Sequence, residues 1–539
     1  MDKLKKKFKE KSSKLRNEVR SLRKTHGHKV VDKVTAAQVI GGMRGIKSIL
    51  WEGSELDANK GITFRGYSIP ELKELLPRVK KGKEPLPEGL FWLMLVDEIP
   101  TQADVNWLSK EWAKRGKLPQ VTLNAVAALP VDTHPMTQFI IGINSMQTSS
   151  IFSQSYAEGM NKADYWDATY EDSMNLIARL PRLAAHIYRR VYHNGVHIAP
   201  DNKLDWAGNF AHMLGINDSE DFKSLMRMYL TIHADHEGGN ASAHTAHLIN
   251  STLADVYLSY AGAMGSLAGP LHGLANQEVI KWIFEMTKSL KTTKPTDDQV
   301  AKYINKTLKS GKVIPGYGHA VLRQPDPRFT AQRVFAEEYI PNDDIVSIVW
   351  QLFRVVPKIL GGLGKVKNPW PNVDAHSGAI LVHYGMKEYS FYTVLFGVSR
   401  ALGVLANSCW SRALGLALER PKSVNSIWLK NAVGVKATLT KKVKVKSKPA
   451  KKKATAKKAT PAKSKKAPAK KKAVAKKATP AKTKKAPARK NAVAKKATPA
   501  KTKKAPANKK VTAKKPAPAK TKKAPARKPK AKKAPVKKA

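Results

Sequence analysis

Apolar residues recur every three or four positions through most of the first 440 residues, the spacing of helices with one buried face. Val279, Trp282, Ile283, Met286 and Leu290 line one such face, and Ile345, Ile348, Leu352 and Val355 line another. Alternating, strand-like patterning is confined to two short stretches, 46–55 and 63–67. The pattern therefore predicts a mainly α fold. At the N-terminus Leu4, Phe8, Leu15, Val19 and Leu22 stand at helical spacing among lysines and arginines, which predicts an amphipathic basic helix. It lacks the apolar stretch of a secretory signal, and Asp2, Glu10 and Glu18 are unlike the acid-poor transit peptides of mitochondria. A helix packed on the body is the preferred reading. The longest apolar run, 394–410, is interrupted by Arg400, Asn407 and Ser408, so no run reaches the roughly 18 apolar residues of a membrane span.

Charge divides the chain in two. The 539 residues carry a net charge of +57, but residues 441–539 hold 42 Lys and Arg and no acidic residue. The first 440 residues keep 56 basic and 41 acidic groups, a balance of +15. From Lys441 onward there is no Leu, Ile, Met, Phe, Trp or Tyr, and twelve prolines interrupt any long helix. Such a segment cannot bury enough apolar surface to offset its ordering entropy, so the tail is expected to be disordered. AKKATPAK begins at Ala456, Ala475 and Ala494, and a variant, AKKPAPAK, at Ala513, a period of 19 residues. Without an apolar face these repeats cannot stack as a solenoid. The tail is similar in composition to the Lys/Ala/Pro-rich tails of linker histones. Its charge density suits counterion-displacing binding to nucleic acid or another polyanion, without base stacking. The lone cysteine, Cys409, excludes an internal disulfide framework and points to a reducing compartment.

Four segments of the body carry candidate chemistry. HADHEGGNASAHTAH holds His233, His236, His244 and His247, whose three-residue spacings suit a metal site or simply packing histidines. GPLHG presents His272 in a tight turn just before a predicted helix. PGYGHAVLRQPDPRF places His319, Arg323 and Arg328 on a Gly/Pro-rich loop suited to phosphate or carboxylate. KNPWPNVDAHSG sets Asp374 beside His376 in a proline-defined turn. Arg400 sits inside an apolar helix pattern, where a charge must be paired or hold an anion.

Together with GGMRGIKS, FRGYSIPE, LFGVSRALGVLA and LERPKS, these segments closely resemble the citrate synthase family, in the form found in mitochondria and some bacteria. The resemblance runs over about 29–421. It implies a body of residues 1–440, with a large helical domain (1–273 and 386–440) and a small one (about 274–385) closing on the substrate. It also implies condensation of acetyl-CoA with oxaloacetate and hydrolysis of the citryl-CoA formed, with no metal and no permanently bound cofactor. By this resemblance Asp374 is the base that takes the methyl proton. His272 stabilises the enolate, kept neutral by the helix start that follows it, and His319 polarises the oxaloacetate carbonyl. His236, His319, Arg328, Arg400 and Arg420 correspond to the oxaloacetate ligands, with Arg420 reaching the other subunit of a homodimer. Arg44, Lys162 and Arg323 correspond to residues binding CoA phosphates, and Val313, Ile314, Gly316, Tyr317 and Gly318 to its adenine pocket. Lys162 stands where animal relatives tend to have arginine, and Gln324-Pro325 is a second departure.

The sequence leaves two other readings open. One is a 2-methylcitrate synthase using propionyl-CoA. The other is a nucleic-acid-associated scaffold on the same fold, suggested by the tail. A bacterial cytoplasm is the expected compartment, with the mitochondrial matrix as the alternative; no membrane association is expected.

Overall fold

The computed structural model describes residues 1–364 and 366–435. The tail, with the disorder and polyanion binding expected of it, lies outside the described residues. Everything described belongs to one compact unit. It is built of helices, with a single three-stranded antiparallel sheet of order β1 (Ser54–Asp57), β2 (Gly61–Phe64) and β3 (Tyr67–Ser68). The expected strand at 46–55 is mostly extended loop; pairing begins only at Ser54, opposite Phe64.

The central element is helix Tyr392–Leu414, whose 23 residues are all buried. It packs against helices Lys3–His26, Pro87–Val96, Tyr165–Tyr192, Glu220–Ile232 and Ala241–Ser251. A helix enclosed on every side has no need of a solvent-facing polar side, which explains why small and apolar residues fill it apart from a few buried polar positions. That segment and helix Asp344–Gly362 are long and apolar enough to cross a bilayer by composition, but the former is the core of this protein, with Arg400 and Arg412 buried inside it. Gly403 permits its closest approach. A Cβ there would meet the Asp235 side chain at 2.5 Å and the Ala234 carbonyl oxygen at 2.7 Å.

The N-terminal basic helix is part of this core. Asp2 caps it, accepting from the Lys5 backbone N–H, and Leu4 and Phe8 are fully buried. The Phe8 ring meets Trp166 at 5.7 Å and Trp410 at 5.0 Å, both edge to face. Phe8→Ala is therefore expected to remove about 3 kcal/mol of stability, seen as a lower urea midpoint. Leu22→Ala, on the exposed face, should leave the midpoint unchanged.

The small sheet braces two loops of the future site. Trp51 Nε1 and Ser54 Oγ donate to Asp235 Oδ2 at 2.8 and 2.7 Å, fixing the loop that holds His236. At the other end of the hairpin, the Ala58 carbonyl accepts from the Arg323 backbone N–H at 2.7 Å, and Gly61 lies against the Pro327 ring.

Candidate active site

Six of the residues singled out in the sequence converge. His236 and His319 meet edge to face with ring centroids 5.3 Å apart. Arg328, Arg400 and His272 all act electrostatically on His236, and Arg328 and Arg400 on Asp374. Each is delivered by a local rule of folding. His236 precedes Glu237, whose left-handed backbone (φ 57°) turns the chain into helix Ala241–Ser251. Arg328 is the second residue of helix Pro327–Tyr339, behind a proline at the first position and capped by Asp326. Asp374 opens helix Asp374–His383, held by Asn372 Oδ1 accepting its backbone N–H at 3.0 Å.

The two Gly/Pro-rich segments lock together. Gly318 N–H donates to Trp370 O and Asn372 N–H to Gly316 O, while Asn372 Nδ2 donates to Gly318 O at 3.1 Å. Gly316 is required there: it has φ +78°, and a Cβ would meet Ala375 Cα at 2.9 Å. The loop bearing His319 and the turn bearing Asp374 are thus one piece.

Hydrogen bonds define the state of each imidazole. His319 Nδ1 accepts from the backbone N–H groups of Val321 and Leu322, both at 3.0 Å, so its proton is on Nε2. His272 Nε2 faces the Ser242 backbone N–H at 3.3 Å and the Ser242 hydroxyl at 2.9 Å. A ring nitrogen facing a backbone N–H accepts, which leaves the proton of His272 on Nδ1. Burial, reinforced by Arg400 and Arg328, holds His272 down to about 3; burial and Arg328 hold His319 down to about 4. Both are neutral N–H donors at physiological pH. The helix start that faces His272 is that of Ala241–Ser251, not that of the following helix Ala275–Leu290, because the turn folds the ring back onto Ser242.

The charges are arranged around these rings. Arg328 makes a two-pronged pair with buried Asp326, Nε at 3.0 Å and Nη2 at 2.7 Å. Arg400, 1% exposed, donates from Nε to His233 O at 3.2 Å and from Nη1 to Asn240 Oδ1 at 2.9 Å. It stacks on Phe396, and burial lowers it to about 10, still charged at neutral pH. Asp235 offsets part of that burial through its charge, but no carboxylate hydrogen-bonds the guanidinium among the described residues, so an anion can still complete its shell. Burial lifts Asp374 to about 7 against the pull of Arg328 and Arg400, and its carboxylate has no hydrogen bond among the described residues. A carboxylate poised near neutrality is equipped to accept a proton.

Other sequence candidates separate from this cluster. His376 is fully buried and accepts from Trp350 Nε1 at 3.2 Å, and His233 stacks on Tyr229 with its Nδ1 on the Tyr229 carbonyl. Both are packing residues. Among the described residues no His, Cys, Asp and Glu group large enough to hold a metal is found. Arg420, Arg44 and Lys162 are exposed and outside the cluster of this chain. Arg323 folds its guanidinium onto the carbonyls of Val321 and Leu322. Val313 is exposed, Ile314 is buried, and Tyr317 pairs with Pro371 in an isolated bridge.

Sequence reasoning missed Asn240, Ser242, Asp326 and Asp235, which hold Arg400, His272, Arg328 and the His236 loop. Two signals were there to read: Asn240 before an alanine-rich helix is a cap pattern, and Asp-Pro-Arg places a carboxylate two residues from a buried cation.

The family model described as "Citrate synthase, C-terminal domain" matches residues 42–422. The chain is 54% identical over 420 residues to a protein of Xiphias gladius named "Citrate synthase, mitochondrial", covering 78% of this chain and 89% of that protein. A protein of the same name from Kajikia audax is 53% identical over the same shares. Among solved structures, citrate synthase from Pyrobaculum aerophilum superposes with a TM-score of 0.63 at 25% identity, covering 74% of this chain and 95% of that one. In fold the chain is also similar to the Thermoplasma acidophilum citrate synthase solved with carboxymethyl coenzyme A and oxaloacetate, with a TM-score of 0.61 at 23% identity, covering 71% and 95%.

Proposed function

The chain belongs to the citrate synthase family, an acyltransferase that condenses acetyl-CoA with oxaloacetate and water, and from this we propose how its own residues carry the reaction. Oxaloacetate is a dianion. Arg328 and Arg400, with His236 and with Arg420 of a second copy, are the groups proposed to bind it; guanidinium forks suit carboxylates. Asp374 takes a proton from the acetyl methyl group while His272 Nδ1–H hydrogen-bonds the thioester oxygen on which negative charge develops. The enolate carbon attacks the ketone carbon of oxaloacetate. His319 Nε2–H polarises that carbonyl and supplies the proton to the alkoxide. Water then cleaves the thioester of citryl-CoA, releasing citrate and the CoA thiol.

The observation that carries this reading is the pairing of opposites in one cluster. A carboxyl group held up near neutrality shares Arg328 and Arg400 as charged neighbours with the neutral His272, and Arg328 with the neutral His319, each imidazole having a defined N–H. A neutral imidazole donor at a developing oxyanion and a raised carboxylate base solve the same difficulty from both ends, since the methyl of a thioester is a very weak acid.

Helices Ala275–Leu290, Asp297–Lys309, Pro327–Tyr339, Asp344–Gly362 and Asp374–His383 pack mainly on one another, which supports the proposed small domain of about 274–385. That domain would bring His319, Arg328 and Asp374 onto His236 and Arg400 as it closes, excluding water before the base acts. CoA is proposed to use Arg44, Lys162 and Arg323 for its phosphates and the 313–318 loop, where Val313 is exposed, for its adenine. The homodimer is proposed from the family match alone, with Arg420 as the group lent across it. The named relatives are mitochondrial, so the matrix is favoured over the bacterial cytoplasm expected from the N-terminal sequence, which the comparisons do not support. The tail is proposed as an accessory polyanion-binding arm on the strength of its charge density.

The test is thiol release from acetyl-CoA by the full chain, with and without oxaloacetate. Release should require oxaloacetate, and propionyl-CoA should be the poorer substrate. The rate should fall as pH drops through about 7, because Asp374 must be ionised to act. Oxaloacetate-independent release, or a rate flat across that range, would remove Asp374 as the base.

A further inference from the structure

The two histidines of the 233–247 segment that the site leaves unused converge elsewhere. His244 and His247 lie one turn apart on helix Ala241–Ser251, on a face that Ser251 continues. All three hold Glu419. His244 Nε2 is 2.7 Å from Oε1, His247 Nδ1 is 3.1 Å from Oε2, and the Glu419 backbone N–H donates to Ser251 Oγ at 3.0 Å. Burial pushes the Glu419 carboxyl up, but the two imidazoles outweigh it and keep the group below its ordinary range. The strap leading there is fixed at its root as well. Gly415 ends the central helix in a left-handed turn, and Arg412 donates to Asn250 O and Ala254 O, each at 2.7 Å.

The next residue is Arg420, exposed and with no side-chain hydrogen bond among the described residues. A carboxylate beside an arginine would ordinarily attract it. Here each oxygen of Glu419 is already held by an imidazole, and Arg420 makes no hydrogen bond to it among the described residues.

We propose that His244, His247 and Glu419 form a clasp that positions Arg420 for the oxaloacetate site of a second copy of this chain. The clasp rests on the reading of Arg420 as a ligand acting across the dimer. Its members are positioning residues; none touches substrate. The same helix carries Asn240 and Ser242 at its other end, so one rigid rod of about 16 Å spans a subunit's own site and the residue it lends.

Dimers of mixed subunits test this. Asp374→Asn silences one site of each dimer, so the remaining site reports on a known pair of chains. Where Glu419→Ala is on the silenced chain, the working site receives its Arg420 from an undone clasp, and KM for oxaloacetate should rise about tenfold with KM for acetyl-CoA unchanged. Where Glu419→Ala is on the working chain, KM for oxaloacetate should match the unaltered hybrid. A rise in both arrangements, or in neither, overturns the proposal. Loss of all oxaloacetate-dependent release from the unaltered protein would instead overturn the synthase reading itself. A second pair of variants separates position from packing. His244→Gln with His247→Asn keeps a donor near each carboxylate oxygen and should restore KM, whereas alanine at both should reproduce the effect of Glu419→Ala. Equal KM for the two pairs would also overturn the clasp.

Discussion

Asp374→Asn is expected to lower kcat about 10³-fold while leaving KM for oxaloacetate nearly unchanged. The amide keeps the size of the side chain and the helix start but cannot take a proton. Because burial holds the folded-state carboxyl up at about 7, the native protein keeps a proton that the unfolded chain gives up near its ordinary value of 3.8. Stability therefore declines as pH rises from that value to about 7, and it is level beyond. The asparagine has no such titration. Its melting temperature at pH 8 should equal or exceed that of the parent, and the gap should close in acid. Measuring kcat and melting temperature on one preparation distinguishes this from a variant that is inactive because it is unfolded.

Arg400→Lys should raise KM for oxaloacetate about 100-fold, from the loss of roughly 2–3 kcal/mol of charge-assisted hydrogen bonding. The lysine retains the charge, so a purely coulombic site would tolerate it. The guanidinium, however, satisfies the His233 carbonyl with Nε and Asn240 with Nη1, and its flat face lies on Phe396. An ammonium at the end of a flexible stem cannot do all three and still present two parallel N–H groups to a carboxylate. Initial rates against oxaloacetate at saturating acetyl-CoA would show the change. A rise of less than threefold would mean that Arg400 serves the core and not the substrate.

The helical architecture was legible because buried faces repeat at helical spacing, as along Val279, Trp282, Ile283 and Met286, which the structure buries. The site was legible because its residues stand in short, distinctive segments. What sequence could not supply is how those segments meet. His376 and Asp374 are two positions apart, yet one accepts from Trp350 in the core and the other lies among Arg328, Asp326 and Arg400, a difference set by the phase of one helix. His244 and His247 have the same three-residue spacing as His233 and His236, and only the long-range approach of Glu419 shows what they hold. The proton on His272 likewise depends on Ser242, thirty positions away.

The start of helix Ala241–Ser251 places unusual demands on divergence. Asn240 Oδ1 accepts from Arg400 at 2.9 Å and lies 3.0 Å from the Ser242 hydroxyl, which in turn is 2.9 Å from His272. A change at either position alters carbanion stabilisation and anion capture together. Substitutions there are therefore epistatic with both Arg400 and His272, so paired replacements should depart from the sum of single ones. A lineage drifting toward a different acyl donor or keto acid has to travel around this triplet, and libraries that randomise the pocket will retain more active members if 240–242 are left as they stand.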